Sequence, residues 1–243
     1  MIRIVDEDSG KLAGWMAAML GQANRHLDSA HPQEVIAWAV ETFGDGLTLG
    51  TSFGVSGMAL IDLALEIEPN LDIFYVDTGL FFEETYTLIA RAEDHFGRGF
   101  RQVTPVQNIH EQALEHGDAL WSSNPDQCCH LRKVVPLRQA VAGRTGWMTA
   151  VRRDQSPSRA NTQVVRWNRS FQAVKLAPLA QWTERDVWRH VISRGVPYNS
   201  LHDQDYPSIG CAPCTRPVRE GEDARAGRWS GRAKTECGIH LAS

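Results

Sequence analysis

Five cysteines carry most of the chemistry open to this 243-residue chain: the neighbours Cys128 and Cys129, the spaced pair Cys211 and Cys214, and the solitary Cys237. The two-residue gap in Cys211-Ala212-Pro213-Cys214 lets both sulfurs face one metal centre, and the same spacing serves a zinc knuckle or a redox dithiol. The adjacent pair points elsewhere. Neighbouring side chains diverge, which suits separate corners of an iron–sulfur cubane better than one tetrahedral zinc ion. A vicinal disulfide would be strained and would leave the second pair unexplained. The pattern favours a cluster, with zinc and dithiol chemistry as the alternatives. Cys237 is then left over. Lys234 and His240 lie close enough in sequence to favour a thiolate, and Gly238 leaves room for an approaching substrate or protein. The alternative for Cys237 is an uninvolved tail thiol.

Three further stretches are suited to anions. Thr51-Ser52-Phe53-Gly54-Val55-Ser56-Gly57 falls between an expected strand and an expected helix, where backbone N–H groups and the positive helix end cradle phosphate. Asp77-Thr78-Gly79 ends the next expected strand, so polar groups gather twice at the carboxyl edge of the sheet, where open α/β folds bind ligands. Arg152, Arg153 and Arg159 follow a later strand, and guanidinium forks match phosphate or sulfate oxygens in pairs. A solvated, salt-bridged loop is the alternative. Arg225, Arg228 and Arg232 lie just upstream of Cys237 and would frame an anion beside the thiol if the tail folds over the sheet.

The framework that carries these residues is read from periodicity. Two amphipathic helices, 11–27 and 32–43, come first, the second with Pro32 where a first turn tolerates it. Strand and helix then alternate: 47–49, a helix over 55–67, a strand over 71–76, a helix over 83–96 and a strand over 100–103. Residues 147–151 and 164–165 add strand candidates, and Thr183 with Asp186 opens a helix running to about 193. The class is α/β, a parallel sheet flanked by helices. From Gly195 onward Gly, Pro, Ser and charge dominate, and no regular element is assigned. The organisation expected is a helical cap over 1–45, an α/β nucleotide- and cluster-binding region over 46–218, and a tail over 219–243, together one domain.

A net charge of −4 gives no general attraction to nucleic acid or anionic membrane, so local basic clusters need a specific explanation. No apolar run is long enough to span a bilayer. The acidic start, Asp6-Glu7-Asp8, lacks the plan of a signal peptide, which makes a reducing cytoplasm the expected compartment. Paired cysteines there suggest metal or redox chemistry rather than structural disulfides.

Taken jointly, the motifs resemble the assimilatory sulfonucleotide reductases, the phosphoadenosine phosphosulfate reductase family, and within it the iron–sulfur branch that acts on adenosine 5′-phosphosulfate. The resemblance runs from about Leu47 to His240. It rests on Ser52-Phe53-Gly54, Asp77-Thr78-Gly79, Cys128-Cys129-His130-Leu131-Arg132-Lys133, Arg152-Arg153-Asp154-Gln155-Ser156, Tyr206 to Pro217 around the second cysteine pair, Arg225-Ala226-Gly227-Arg228-Trp229 and Lys234-Thr235-Glu236-Cys237-Gly238-Ile239-His240. Asp205 stands where the family usually has Gly, Ser230 where a second Trp is common, and Ile239 where Leu is usual.

The resemblance implies an ATP-pyrophosphatase-like fold, akin to the adenine nucleotide alpha hydrolases, with a modified phosphate loop. It also implies one 4Fe-4S cluster on Cys128, Cys129, Cys211 and Cys214, and a catalytic Cys237 on a mobile tail. The implied reaction is attack of the Cys237 thiolate on the sulfur of adenosine 5′-phosphosulfate, release of AMP, and discharge of sulfite from an S-sulfocysteine by thioredoxin or a similar dithiol protein. Lys133, Arg152, Arg225 and Arg228 are expected to hold the phosphosulfate, with His240 beside them. Ser52, Phe53, Gly54, Asp77, Thr78 and Gly79 are expected on the nucleotide side, and Arg153, Arg159 and Arg232 stand behind these. The rivals are a reductase of 3′-phosphoadenosine 5′-phosphosulfate or of both nucleotides, an ATP-dependent adenylating sulfur transferase, and a non-enzymatic iron–sulfur sensor. The loop lacks the paired glycines and acid of the transferases, and the acidic charge counts against a nucleic-acid-binding sensor. A homo-oligomer stays open.

Overall fold

The computed structural model describes residues 14–239. Residues 11–13 of the expected first helix, and His240, lie outside the described residues. Helix α1 (Gly14–Leu27) buries Met16, Leu20, Ala23 and Leu27, the one-sided spacing of an amphipathic helix. Helix α2 (Pro32–Phe43) starts at Pro32, with the His31 ring accepting a hydrogen bond from the Gln33 N–H. Both helices share one continuous apolar core with the sheet.

Among the described residues the sheet has six strands: β1 (Leu47–Thr51), β2 (Asp72–Val76), β3 (Arg101–Val103), β4 (Gly146–Met148), β5 (Val165–Asn168) and β6 (Ala173–Leu176). Their order is β3-β2-β1-β4-β6-β5, and every neighbouring pair is parallel except β5 with β6. The sheet is therefore mixed, with an antiparallel edge strand where the sequence suggested parallel strands alone. Strand β6 is the one that sequence reading passed over. Its four residues are all buried, and Lys175 among them reads as a surface residue in any hydropathy pattern. The Lys175 ammonium lies 5.1 Å from the centroid of the Trp147 ring on β4.

Helix α3 (Val55–Ile67), apolar nearly all round, packs against α2 and against α9 (Glu184–Arg194). The expected start of α9 forms a capping box: the Asp186 N–H donates to Thr183 Oγ1, and the Thr183 N–H to Asp186 Oδ2. Helix α4 (Glu83–Phe96) ends at left-handed Gly97, which only a residue without Cβ adopts at no cost. Between β3 and β4 lie helices that sequence reading left unassigned: α5 (Ile109–His116), α6 (Leu120–Ser123), α7 (Pro125–Cys129) and α8 (Val135–Val141). A π-helical turn, His130–Val134, joins α7 to α8. Pro125, Pro136 and that turn break the 3.6-residue period on which such a reading depends.

Beyond α9, the described residues have only short 3-10 turns, at Ser200–Gln204 and Ala212–Cys214, and one isolated bridge between Thr215 and Arg228. Among the described residues, no helix is long and apolar enough to cross a membrane. The chain leaves β1 to build β2 and β3 on one side, then returns to place β4, β6 and β5 on the other. Such a reversal opens a crevice at the carboxyl ends of β1 and β4.

Candidate active site

A cleft of about 290 Å³ occupies that crevice. The carboxyl ends of β1, β2 and β4 form its floor through Thr51, Val76 and Thr149, and the loop after β1 with the first turn of α3 forms one wall through Ser52, Gly54, Ser56 and Gly57. Gly54 holds the cap position of α3, so among the described residues no side chain caps its first-turn N–H groups. Gly57 is needed there, because a Cβ on it would stand 2.7 Å from Thr51 Oγ1, the atom that accepts from the Phe53 N–H at 3.0 Å.

Among the described residues, five cations line the cleft, Lys133, Arg152, Arg159, Arg225 and Arg228, against three carboxylates, Asp154, Glu184 and Glu236. The cleft is thus net positive in a chain whose total is −4. Arg152 is buried; it donates from Nε to Asp154 Oδ1 at 2.8 Å and from Nη1 to the Ser56 hydroxyl. Arg228 lies over the Trp229 ring at 4.6 Å, and its Nη1 is 3.4 Å from both Ser208 Oγ and the Ile209 carbonyl oxygen. Among the described residues, no carboxylate pairs with Arg228 or Lys133.

Six buried side-chain polar atoms have no partner among the described residues, and five belong to residues of this cleft: Trp147 Nε1, Thr149 Oγ1, His202 Nε2, Arg228 Nε and Trp229 Nε1. Leaving such atoms unpaired costs about 1–3 kcal/mol each, so their concentration marks a place built for a polar ligand.

Four thiols stand within electrostatic reach of one another, Cys211 acting on Cys128, Cys129 and Cys214. Cys128 and Cys129 end α7, and Cys211 and Cys214 bracket the 3-10 turn Ala212–Cys214; none is in a disulfide. Burial pushes the Cys128 thiol up, and the charges of Cys211 and Cys214 push it further. Cys214 is pushed up by burial and by Cys211, and Cys129 by burial to about 11. Cys211 goes the other way. Burial opposes its ionisation, but the Lys133 ammonium, the Thr78 hydroxyl at 3.4 Å and Arg228 outweigh it. Lys133 feels the charge of both Cys211 and Cys237: burial disfavours its own charge, while the two thiols more than compensate and raise its pKa. Among the described residues, no three His, Cys, Asp or Glu side chains stand close enough to grip a single ion.

Cys237 itself lines the cleft. Three contacts hold the tail ahead of it. Arg232 Nη2 donates to Ser122 Oγ at 3.3 Å, Lys234 pairs with Asp126, and Arg225 Nη2 donates to the Thr235 carbonyl at 2.9 Å.

Of the residues singled out in the sequence, Ser52, Gly54, Thr78, Lys133, Arg152, Arg225, Arg228 and Cys237 share this cleft. Three others do not line it. The Phe53 ring is buried in the core, edge-on to Tyr75 and Phe100, with its backbone at a left-handed φ of 56°. The Asp77 carboxylate is occupied by the Tyr86 hydroxyl at 3.0 Å, Gln102 at 2.7 Å and the Gly79 N–H at 2.8 Å. Gly79 packs near Arg132, which donates to the Thr78 carbonyl at 2.5 Å. These three shape the loops rather than face the cleft. Arg153 is also turned away, toward Asp28. Arg159 moves forward as a cleft residue, and Gln155, Trp147, Trp229 and Glu236 join it. Glu236 was legible only as part of a motif, since a lone Glu beside a cysteine carries no signal of its own.

The sequence profile of the phosphoadenosine phosphosulfate reductase domain matches residues 46–217. The chain is 48% identical over 210 residues to an adenosine 5′-phosphosulfate reductase of Staphylococcus haemolyticus (strain JCSC1435), covering 86% of each. It is 49% identical over 207 residues to adenosine 5′-phosphosulfate reductase 1 of Bacillus subtilis (strain 168), covering 85% of this chain and 89% of that one. Among solved structures, a phosphoadenylyl-sulfate reductase from Candida auris in a phosphate complex superposes with a TM-score of 0.72 at 32% identity, over 82% of this chain and 96% of that one. FMN adenylyltransferase of Candida glabrata, at a TM-score of 0.58 and 12% identity over 84% of this chain and 67% of that one, shares the fold alone. On its sequence, its fold and the arrangement of its cleft, the chain belongs to the phosphoadenosine phosphosulfate reductase family.

Proposed function

We propose that the protein reduces adenosine 5′-phosphosulfate to sulfite and AMP in sulfate assimilation, with Cys237 as nucleophile and a dithiol protein such as thioredoxin as reductant. One observation carries the reading: Cys237 lines the same net-positive cleft as the α3 phosphate loop, at the switch point of a nucleotide-binding sheet. The names of the bacterial relatives agree with it.

Phosphate is already a good leaving group, so the chain must chiefly bring two anions together and neutralise their repulsion. Arg225, Arg228 and Lys133 face the phosphosulfate, and Ser52, Gly54 and the first turn of α3 face the nucleotide; Arg152 stiffens that loop through Ser56. The Cys237 thiolate attacks the sulfate sulfur. An S–S bond forms, the S–O bond to phosphate breaks, and its electron pair leaves with AMP. A thiolate of the reductant then attacks Cys237 Sγ and expels sulfite, and the second thiol resolves the mixed disulfide, so two electrons pass from dithiol to sulfur.

The four thiols suit an iron–sulfur cluster. Burial is the main cause that pushes three of them up and the Cys211 charge adds to it, and a cubane would take each thiolate on a separate iron, so no single-ion cage is required. Cys128, Cys129, Cys211 and Cys214 would hold it. Bound there, it supplies charge and an anchor rather than electrons, which the dithiol already provides. Such chemistry fits a reducing cytoplasm.

The test is incubation with adenosine 5′-phosphosulfate and no reductant. One equivalent of AMP and one sulfonate on the peptide containing Cys237 are expected, and reduced thioredoxin should restore the original mass. In Cys237→Ser both should vanish. An adduct on Cys211 or Cys214, or sulfite without any protein-bound intermediate, would overturn the assignment, and comparing turnover of the 3′-phosphorylated nucleotide decides the substrate.

A further inference from the structure

Glu236 puts a carboxylate inside a cleft built for anions, immediately before the nucleophile. It is buried, and its two oxygens are taken by one fork: Arg159 Nε donates to Oε1 and Nη2 to Oε2, each at 2.8 Å. Arg225 Nη2 stands 3.4 Å from Oε2, and Ser158 Oγ donates to Oε1 at 3.4 Å. Burial works against the charge, but Arg159, then Arg225 and Arg228, hold the carboxyl below the usual range, so the pair is ionic at neutral pH. Arg225 also takes the Thr235 carbonyl, so two consecutive residues before Cys237 are fixed. On the other side, Gly238 turns the chain at a φ of +88°, and Ile239 packs against the cluster of Phe74, Leu137 and Trp147.

A carboxylate placed to help binding alone makes no sense here, because it repels the anion the cleft attracts. A bidentate fork is directional, and it fixes the backbone that carries the carboxylate. We propose that Glu236 is a positioning residue: locked onto Arg159 and Arg225, it latches the tail so that the Cys237 sulfur is presented to the phosphosulfate group. The inference rests on the reductase reading above. Its competitor is an internal blocker, with Glu236 occupying Arg159 and Arg225 until substrate displaces it. The two differ in sign, since loss of a latch slows attack and loss of a blocker speeds it.

The experiment compares Glu236→Gln, nearly isosteric and neutral, with the parent holoprotein in single turnover at saturating adenosine 5′-phosphosulfate. The latch requires an AMP burst at least tenfold slower, with AMP affinity unchanged or tighter because a repelling charge has gone. Glu236→Asp, which keeps the charge one methylene short, should fall between. In the double variant with Arg159→Gln, the burst should be no slower than in the slower single variant, as for residues acting as one unit. Amide hydrogen exchange at 235–238 should rise at least tenfold in Glu236→Gln while β1 and β2 stay unchanged. A faster or unchanged burst overturns the proposal, as does a loss of AMP affinity matching the loss of rate. Should the parent give no AMP burst at all, the reductase reading fails instead, and the exchange measurement still decides the latch.

Discussion

Asp72, at the start of β2, ties three parts of the sheet together with one carboxylate. Thr48 Oγ1 on β1 donates to it at 2.9 Å, Arg101 on β3 grips it through Nε at 3.0 Å and Nη2 at 2.7 Å, and Arg144 reaches it at 2.8 Å. Burial raises its pKa, but these partners outweigh it and the carboxyl is held low. A depressed folded-state pKa gives stability that is full above the unfolded value and is lost as pH falls through the folded one. Asp72→Asn should therefore cost about 1–2 kcal/mol in urea unfolding at pH 7, discounted for partial exposure, and the difference between parent and variant should shrink as pH falls below the ordinary carboxylate range. Phe53 makes the complementary point. Its left-handed backbone is strained for a non-glycine residue, and the buried ring offsets the strain by packing on Tyr75 and Phe100.

At the scale of elements, the π turn between α7 and α8 and the segment around Gly210 do the positioning. A π turn inserts an extra residue and re-aims the helix beyond it, and this one lies between the Cys128–Cys129 pair and α8 and contains Lys133. Gly210 has no Cβ because there is no space for one: it would fall 2.4 Å from Arg228 Cζ and 2.2 Å from Nη2. Gly210→Ala must displace the Arg228 guanidinium. Nucleotide affinity measured by calorimetry should fall about tenfold, roughly 1.4 kcal/mol, with the fold intact. Asp205, where the resembling family usually has Gly, adopts a left-handed φ of 64° at the end of the Ser200–Gln204 turn. The departure is thus a short polar side chain in a conformation that Asp tolerates better than most.

For the whole molecule, two segments more than 80 residues apart bring their thiols within electrostatic reach of one another, Cys211 raising the pKa of both Cys128 and Cys129. Protein prepared without oxygen should be brown and hold about four irons per chain, as four thiolates of a cubane require. Cys128→Ser, Cys129→Ser, Cys211→Ser and Cys214→Ser should each weaken iron retention, and Cys237→Ser should not. One zinc per chain without a chromophore would refute this. Chelation of the iron should loosen the α7–α8 helix and the 211–214 turn together, read by hydrogen exchange.

Elements with local signals were legible in the amino-acid chain alone. Helices α2, α3, α4 and α9 and strands β1 and β2 show in period, caps and β-branched runs, and the cysteine spacing with the arginine clusters pointed to the cleft residues before any was placed. Tertiary contact settled the rest. Whether Phe53 and Asp77 face a ligand or the protein depends on which way a strained loop turns and on the distant Tyr86 and Gln102 that take the carboxylate. Strand β6 forms by pairing with β4 and β5 even though it carries Lys175, which is buried beside Trp147. The role of Arg159 and Glu236 arises from a pairing across 77 residues, and no local pattern encodes a partner that only the folded chain brings within reach.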